Sequence, residues 1–317
     1  MAQTAPSIQR AQVRRQTARL ARARWQLYIM LVLPIIYFLV FHYAPMLGLQ
    51  IAFKRFSISH GVWGSPWAGF YHFERFFRSY QFRRVISNTL ELSFYRLAAS
   101  FPTPVLFALC LNVVRVRWFK KTVQMVTYIP HFISVIVIVG ILMQMFNPRI
   151  GVYGVAYKAL TGKNAPDLFG IPSAFKHMFV WSGIWQNLGW RSIIYLAALS
   201  GVDPQLHESA MVDGANRFKR MLVLDVPAIL PTATILLIMD AGQIMSIGFE
   251  KVFLLQNDLN RSKSEVISTF VYQVSMGSSG NDFSYGTAIG LFNSVINLTL
   301  ITAVNAFSRQ VSETSLW

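Results

Sequence analysis

Long apolar stretches separated by polar connections dominate the pattern of the chain. Six windows are apolar over about 20 residues, the length of helix that crosses the hydrocarbon core of a bilayer. They predict membrane-spanning helices near residues 26–46, 87–113, 122–146, 177–200, 222–247 and 283–308. The fourth and fifth windows are the least uniform of the six. The pattern predicts an all-α membrane protein, with a bundle of six transmembrane helices over residues 26–310.

Prolines interrupt several of these windows. A proline inside a helix removes a backbone hydrogen bond, and in a membrane the freed carbonyl must meet protein or a water-filled cavity. The prolines concerned are Pro34, Pro102, Pro104, Pro130, Pro227 and Pro231. The bends they predict favour a bundle that encloses a cavity, but they suit a transporter and a membrane enzyme equally.

Composition and charge add an orientation. Only 13% of residues are charged, against about a quarter in soluble domains, and the net charge is +16. Residues 1–25 contain arginines but no acids, and positive segments flanking a membrane span stay in the cytoplasm. This predicts a basic cytoplasmic N-terminal arm, lying on anionic lipid rather than on nucleic acid, and a cytoplasmic tail at 311–317.

Motifs for catalysis or metal binding are missing from the sequence. The nearest approach to a phosphate-binding loop, at Gly162-Lys163, lacks the earlier glycine and the following hydroxyl residue. No histidines stand four apart, Cys110 is the single cysteine, and no nucleophile elbow is present. We predict a non-catalytic chain with no metal site and no cofactor of its own.

Polar residues inside the windows are candidates for a substrate path. Ionisable groups in a membrane are costly and usually face a cavity or a partner. Tryptophan faces beside amides and a guanidinium are typical of sugar-binding surfaces, but they equally suit an interfacial belt and helix packing. The candidates are Asn88, Tyr95, Arg96, Trp181, Trp185, Gln186, Asn187, Trp190, Arg191, Asp240, Gln243, Asn293 and Asn297.

A polar insert at 203–220 separates the fourth and fifth windows. Asp203-Pro204 is typical of a helix start, and we predict one helix over 204–219, too short and too charged to span a membrane. Gly214 would lie inside that helix at a cost of about 1 kcal/mol, which suggests close approach of another surface. Packing against its own bundle and binding to a partner explain the insert equally well.

The sequence of this insert resembles a known family. Glu208-Ser209-Ala210-x-x-Asp213-Gly214-Ala215, with Pro227 twelve residues later, is similar to the EAA loop of binding-protein-dependent ABC importer permeases. Ser209 replaces the usual alanine, and Asp225 stands where a neutral residue is common. The segments 43–54, 64–70, 119–134 and 248–255, with Trp317, resemble the permeases that import complex oligosaccharides, alginate- and aldouronate-type importers among them.

The resemblance implies a fold, partners and site residues. It implies the importer-permease fold with a cytoplasmic coupling helix, placed in the bacterial cytoplasmic (inner) membrane. The implied partners are a second permease, two ATPase subunits that bind ATP and Mg, an external solute-binding protein and an oligosaccharide. The residues implied for coupling to the ATPase are Glu208, Ser209, Ala210, Asp213, Gly214, Ala215, Phe218 and Pro227.

Rival functions and the identity of the saccharide stay open at this point. An ion-coupled secondary transporter needs an ion site near the membrane midplane, and the scarcity of acids there disfavours it. A membrane enzyme lacks a catalytic constellation, and a scaffold would need no polar residues along a tunnel. The basic external segments favour an acidic, alginate-like saccharide over a neutral one.

Overall fold

The computed structural model describes residues 24–277 and 281–311. Within these residues the regular structure is helical, apart from an isolated antiparallel bridge between Lys54 and Trp67. Most of the predicted N-terminal arm and C-terminal tail therefore lies outside the described residues. The all-α expectation is confirmed for the part of the chain that the structure describes.

Thirteen helical segments of that part are labelled here in chain order. They are α1 (Trp25–Phe53), α2 (Tyr71–Arg78), α3 (Tyr80–Val113), α4 (Arg117–Phe132), α5 (Val135–Met145), α6 (Val152–Thr161), α7 (Pro172–Ser200), α8 (Pro204–Val212), α9 (Arg217–Gly242), α10 (Phe249–Leu255), α11 (Arg261–Ser264), α12 (Ile267–Met276) and α13 (Phe283–Val311). A four-residue helix at Gly61–Gly64 precedes α2.

Four of the described helices are long and apolar enough to cross a membrane by themselves: α1, α3, α9 and α13. They correspond to the first, second, fifth and sixth predicted windows. Their ends differ from the prediction, most clearly in the fifth, where α9 stops at Gly242 and not at 247. The chain turns there with Gly242 against Ile301 of α13, and a side chain at Gly242 would collide with that isoleucine.

Judged by their length and composition, the helices of the structure do not reproduce the predicted count of six spans. The structure has four such helices, or five if the bent pair of α4 and α5 counts as one span, within the described residues. The fourth window is α7, which is 29 residues long but too polar to qualify. Because α7 packs against α3, α4, α9 and α11, much of its surface meets protein, and buried polar residues such as Ser182, Gln186 and Ser192 replace lipid-facing ones.

The third window, predicted as one span over 122–146 with Pro130 inside it, is broken. α4 ends at Phe132 and α5 begins at Val135, and the two axes differ by 104°. Pro130 lies in the 3-10 turn that ends α4, and the hydroxyl of Ser134 caps α5 by accepting from Val137 N at 3.4 Å. A proline turn followed by a new helix cap explains the break.

The segment 248–282, whose glycine- and serine-rich end at 277–282 is typical of a flexible connection, forms three short helices, α10, α11 and α12. Val252 of α10 joins a buried cluster with Leu92 of α3, Val139 of α5 and Phe179 of α7. Burial of this apolar surface holds the segment against the bundle. Residues 278–280 of the expected flexible stretch lie outside the described residues.

The first long connection, expected to form an amphipathic segment on the bilayer surface, contains the short helix α2. His72 and Phe76 of α2 are buried, while Phe77 and Tyr71 are exposed. The helix packs against α13, so one of its faces is occupied by protein. Exposed aromatic residues favour the membrane–water interface, so contact of α2 with the bilayer surface stays a prediction.

Candidate functional site

The polar insert forms a short helix followed by a tight turn. Asp203 accepts a hydrogen bond from Gln205 N at 2.9 Å, and Pro204 occupies the first turn of α8, as predicted. The nine-residue helix ends at Val212, and Gly214 follows with a φ of +75°. Ala215 N then bonds the carbonyl of Ala210 at 2.9 Å, which closes the turn.

The prediction of one helix over 204–219 is therefore wrong. Asn216 begins a second helix, because its side chain accepts from Lys219 N at 2.8 Å and caps α9. Gly214 lies in the turn between the helices, where its left-handed conformation favours glycine. A side chain added at Gly214 would meet nothing within 4 Å, so no close approach within this chain explains the glycine.

The motif residues in this segment lie mostly on the surface. Glu208, Ser209, Asp213 and Gly214 are exposed, whereas Ala210 is half-buried. Neither Glu208 nor Asp213 forms an ion pair within the described residues. The turn therefore presents two acids that are free to bind another molecule.

Apolar groups flank those acids, since Phe218 is 64% exposed and Val212 is almost fully exposed. Pro227, nine residues beyond Phe218 in α9, is exposed, and Ala215 is half-buried. Exposed apolar side chains next to unpaired acids are typical of a surface that binds a partner.

A buried carboxylate ties the segment to the bundle. Asp225 of α9 is 2% exposed, and its Oδ1 lies 3.2 Å from Nε2 of His207 on α8. The amide of Asn112 on α3 donates to the same oxygen at 3.3 Å. Arg220 adds a bond of 3.4 Å from its guanidinium to the His207 carbonyl. Asp225 therefore links α8 to α3 and α9.

Part of this anchor is visible in the sequence. Asp225 is an acid in an apolar window and a departure from the family pattern, but neither feature marks it as a site residue. Its partners His207 and Asn112 belong to no motif, and Asn112 lies 113 residues before Asp225 in the chain. Only the fold brings them together.

A cavity of about 290 Å³ lies in the middle of the bundle. Arg96 of α3, Val135 of α5, Phe179 of α7, Asp240 of α9 and Lys251 of α10 contribute to its wall. Five predicted path residues line it, namely Arg96, Gln186, Asn187, Arg191 and Asp240. Three of the ionisable side chains around this cavity are cations and one is a carboxylate.

The charges in this cavity differ in their partners. Arg191 and Asp240 form a two-pronged pair, with N···O distances of 2.9 and 3.2 Å. Lys251 is 8% exposed and its Nζ has no hydrogen-bond partner, although it lies 5.4 Å from the centroid of the Phe179 ring. Burial lowers the pKa of Lys251 to about 8. The cavity therefore holds a buried, unpaired cation that the sequence reasoning missed.

A signal for Lys251 existed in the sequence. It is the one basic residue in the apolar run of α10, but a loop between two spans gives no reason to expect burial. Only the packing of α10 against α5 and α7 reveals it.

Several of the predicted sugar-binding residues support the break between α4 and α5. Gln186 donates to the carbonyl of Ile133 at 3.1 Å and so satisfies a backbone acceptor at the break between α4 and α5. Asn187 bonds Nδ1 of His131 at 3.0 Å, and the His131 ring stacks on Trp190 with centroids 4.4 Å apart. Gln186 and Asn187 thus both line the cavity and fix the shape of its wall.

The remaining predicted path residues do not line this cavity; they are Asn88, Tyr95, Trp181, Trp185, Trp190, Gln243, Asn293 and Asn297. Asn88 donates to the carbonyls of Ser262 and Glu265, each at 3.0 Å. Trp181 donates to the Tyr95 hydroxyl at 2.9 Å. Asn297 bonds Met245 N and the Ser246 hydroxyl. The role of these residues in a substrate path stays a prediction.

No three His, Cys, Asp or Glu side chains converge on a metal site within the described part of the chain. The acids of the two sites described above are instead paired with basic groups or exposed to solvent.

Comparison with known proteins identifies the class of the bundle. Residues 100–313 match the family described as "Binding-protein-dependent transport system inner membrane component". The chain belongs to this family. Among similar proteins, Protein LplB of Bacillus subtilis (strain 168) is 40% identical over 300 residues, covering 95% of this chain and 93% of LplB.

Other similar permeases carry names that state a substrate. The polygalacturonan/rhamnogalacturonan transport system permease protein YteP of Bacillus subtilis (strain 168) is 38% identical and covers 92% of this chain and 90% of its own length. Among solved structures, a chain of a bacterial alginate ABC transporter in complex with an alginate pentasaccharide-bound periplasmic protein has a TM-score of 0.85. It is 36% identical and covers 94% of this permease and 99% of that chain. The importer-permease fold expected from the motif is confirmed.

Proposed function

We propose that this chain is the transmembrane permease subunit of an ATP-driven importer of acidic oligo- or polysaccharides. The observation that carries the proposal is the exposed turn at Asp213-Gly214, anchored to the bundle through Asp225 and lying in a chain of this family. The names of YteP and of the alginate transporter support a saccharide substrate. The chain itself hydrolyses no ATP.

The partner of the exposed turn, in this proposal, is an ATPase subunit. Glu208 and Asp213 would bind groups of the ATPase, and Phe218 would fill an apolar groove beside them. ATP binding and hydrolysis, with Mg, take place on that partner. When the ATPases close, α8 moves, and the His207–Asp225 pair carries the movement into α3 and α9.

A second, different permease would complete the transport path. α1 is 29 residues long, and none of the side chains in its most apolar window is buried against its own bundle. A helix of this length that contacts only lipid would contribute nothing to the transport path. We therefore assign the unburied apolar face of α1 to contact with the second permease. An external solute-binding protein would deliver the saccharide to the opposite end from α8.

The orientation follows from the same proposal. α8 and both termini lie in the cytoplasm, and the chain spans the bacterial cytoplasmic membrane several times. Saccharide passes between the two permeases toward the cytoplasm as the bundle alternates between outward- and inward-facing states.

Purification of the assembly tests the proposed function. We expect two ATPase subunits and a second permease to co-purify with this chain, and a uronate oligosaccharide with its binding protein to stimulate ATP hydrolysis. A chain that purifies without any ATPase and takes up sugar on an ion gradient would contradict the proposal and favour a secondary transporter.

A further inference from the structure

We propose that Lys251 binds a carboxylate of the saccharide as it passes through the central cavity. This assignment rests on the proposed function, because it names the group that recognises the acidic substrate. It gives α10 a direct role in selecting what the permease carries.

The position of Lys251 is the first argument. The side chain is 8% exposed, its Nζ has no hydrogen-bond partner among the described residues, and it belongs to the wall of the cavity. A buried ammonium without an acceptor is strongly unfavourable, so Lys251 favours a ligand that brings one. A ligand oxygen in the cavity supplies that acceptor.

The space next to the ammonium is the second argument. The nearest atom to a side chain added at Gly183 of α7 is Nζ of Lys251, at 3.4 Å. Glycine at this position therefore leaves the side of the ammonium open, while Phe179 lies on another side at 5.4 Å. The only strong contact available to Lys251 within the described residues is with an aromatic ring, which attracts a cation but accepts no conventional hydrogen bond.

The balance of charge in the cavity is the third argument. Asp240 is engaged by both terminal nitrogens of Arg191, so it is not available to Lys251. Arg96 lines the same cavity and has no ion pair within the described residues. Two cations are thus left for a ligand. Hydrogen bonds from an ammonium to a carboxylate are roughly twice as strong as neutral ones, so the cavity favours a uronate over a neutral sugar.

Binding to the complete permease–ATPase assembly, without the solute-binding protein, measures the affinity of the path itself. The probes are a galacturonate trimer, a mannuronate trimer, and the same trimers with each carboxyl reduced to an alcohol. Lys251→Met removes the charge at similar volume, Lys251→Arg keeps it, and Lys263→Met removes one exposed charge from the same 248–282 segment. Co-purification of the ATPases and the melting temperature confirm that each variant folds.

We expect Lys251→Met to weaken binding of at least one uronate trimer about tenfold, the effect of losing one charge-assisted hydrogen bond, and to leave its reduced counterpart unchanged. Lys251→Arg and Lys263→Met should stay within about threefold of the wild type. Equal weakening of acidic and reduced trimers would show a structural role and overturn the assignment. So would an unchanged affinity in Lys251→Met, or a wild type that binds no uronate trimer better than its reduced form.

Failure of the proposed function gives a different result in the same preparation. If the wild-type assembly, supplied with binding protein and ATP, takes up no saccharide at all, the importer function itself is wrong. If it takes up saccharide but Lys251→Met weakens binding of acidic and reduced trimers equally, or weakens neither, only the role of Lys251 is wrong.

Discussion

The turn at Gly214 is the point at which a single added methyl group tests the coupling mechanism. Gly214 has a φ of +75°, and a Cβ built there meets no atom within 4 Å. Gly214→Ala therefore introduces no collision, and its cost is the left-handed conformation alone, about 1–2 kcal/mol for an L-residue. That energy favours rearrangement of the turn, which would displace Asp213 from the end of α8.

A cost of about 1.4 kcal/mol shifts a conformational equilibrium about tenfold. If the ATPase must bind the turn as it stands, we expect Gly214→Ala to lower saccharide uptake per ATP hydrolysed by about three- to tenfold, with the protein still folded. The assay uses proteoliposomes containing the complete assembly. It measures labelled saccharide inside the vesicles and phosphate released in the same sample.

A matched control separates coupling from general strain. Gly162, after α6, has a φ of +69° and equally open surroundings, so Gly162→Ala carries the same backbone cost far from α8. We expect Gly162→Ala to keep the wild-type ratio of uptake to hydrolysis. Asn tolerates the left-handed conformation better than Ala, so Gly214→Asn should be less severe than Gly214→Ala. Full transport by Gly214→Ala, or the same loss in Gly162→Ala, would refute the reasoning.

Three further predictions concern charged side chains of the bundle. Asp225→Asn keeps the shape of the anchor but weakens its bond to His207. We expect lower saccharide uptake with the ATPases still bound. Unchanged uptake would exclude a role for Asp225 in transmitting movement from α8. Arg191→Met should impair transport more than the double variant with Asp240→Asn, because the single change leaves the carboxylate unpaired; a double variant that is worse would contradict the pairing. Because Lys251 has a pKa near 8 and a bound carboxylate favours its protonated form, uronate binding should weaken as pH rises from 7 to 9, and a Lys251→Arg assembly with the same decline would refute this.

The sequence predicted most of the bundle because lipid imposes a simple rule on the helices that face it. α1, α3, α9 and α13 are apolar over the length of a bilayer, and each was found as a window. The windows were less accurate where protein replaces lipid. α7 is polar because it packs against other helices, and the third window breaks between Phe132 and Val135, where Gln186 satisfies a freed carbonyl.

The candidate site was predicted unevenly for a related reason. The motif around Glu208 and Asp213 is local in sequence, so its position could be found without the fold, although the helix was drawn too long across Gly214. Lys251 and the Asp225 anchor depend on contacts between distant segments. No local pattern distinguishes Lys251, which is buried beside Phe179, from an exposed lysine in a connection.

The central claim is that this chain moves saccharide only as part of an ATP-driven assembly. Its most direct test is uptake of a labelled uronate oligosaccharide into proteoliposomes with ATP enclosed, with and without vanadate, for the complete assembly and for this chain alone. We predict uptake by the assembly that vanadate abolishes, and none by the single chain. Vanadate-insensitive uptake by the chain alone would contradict the account.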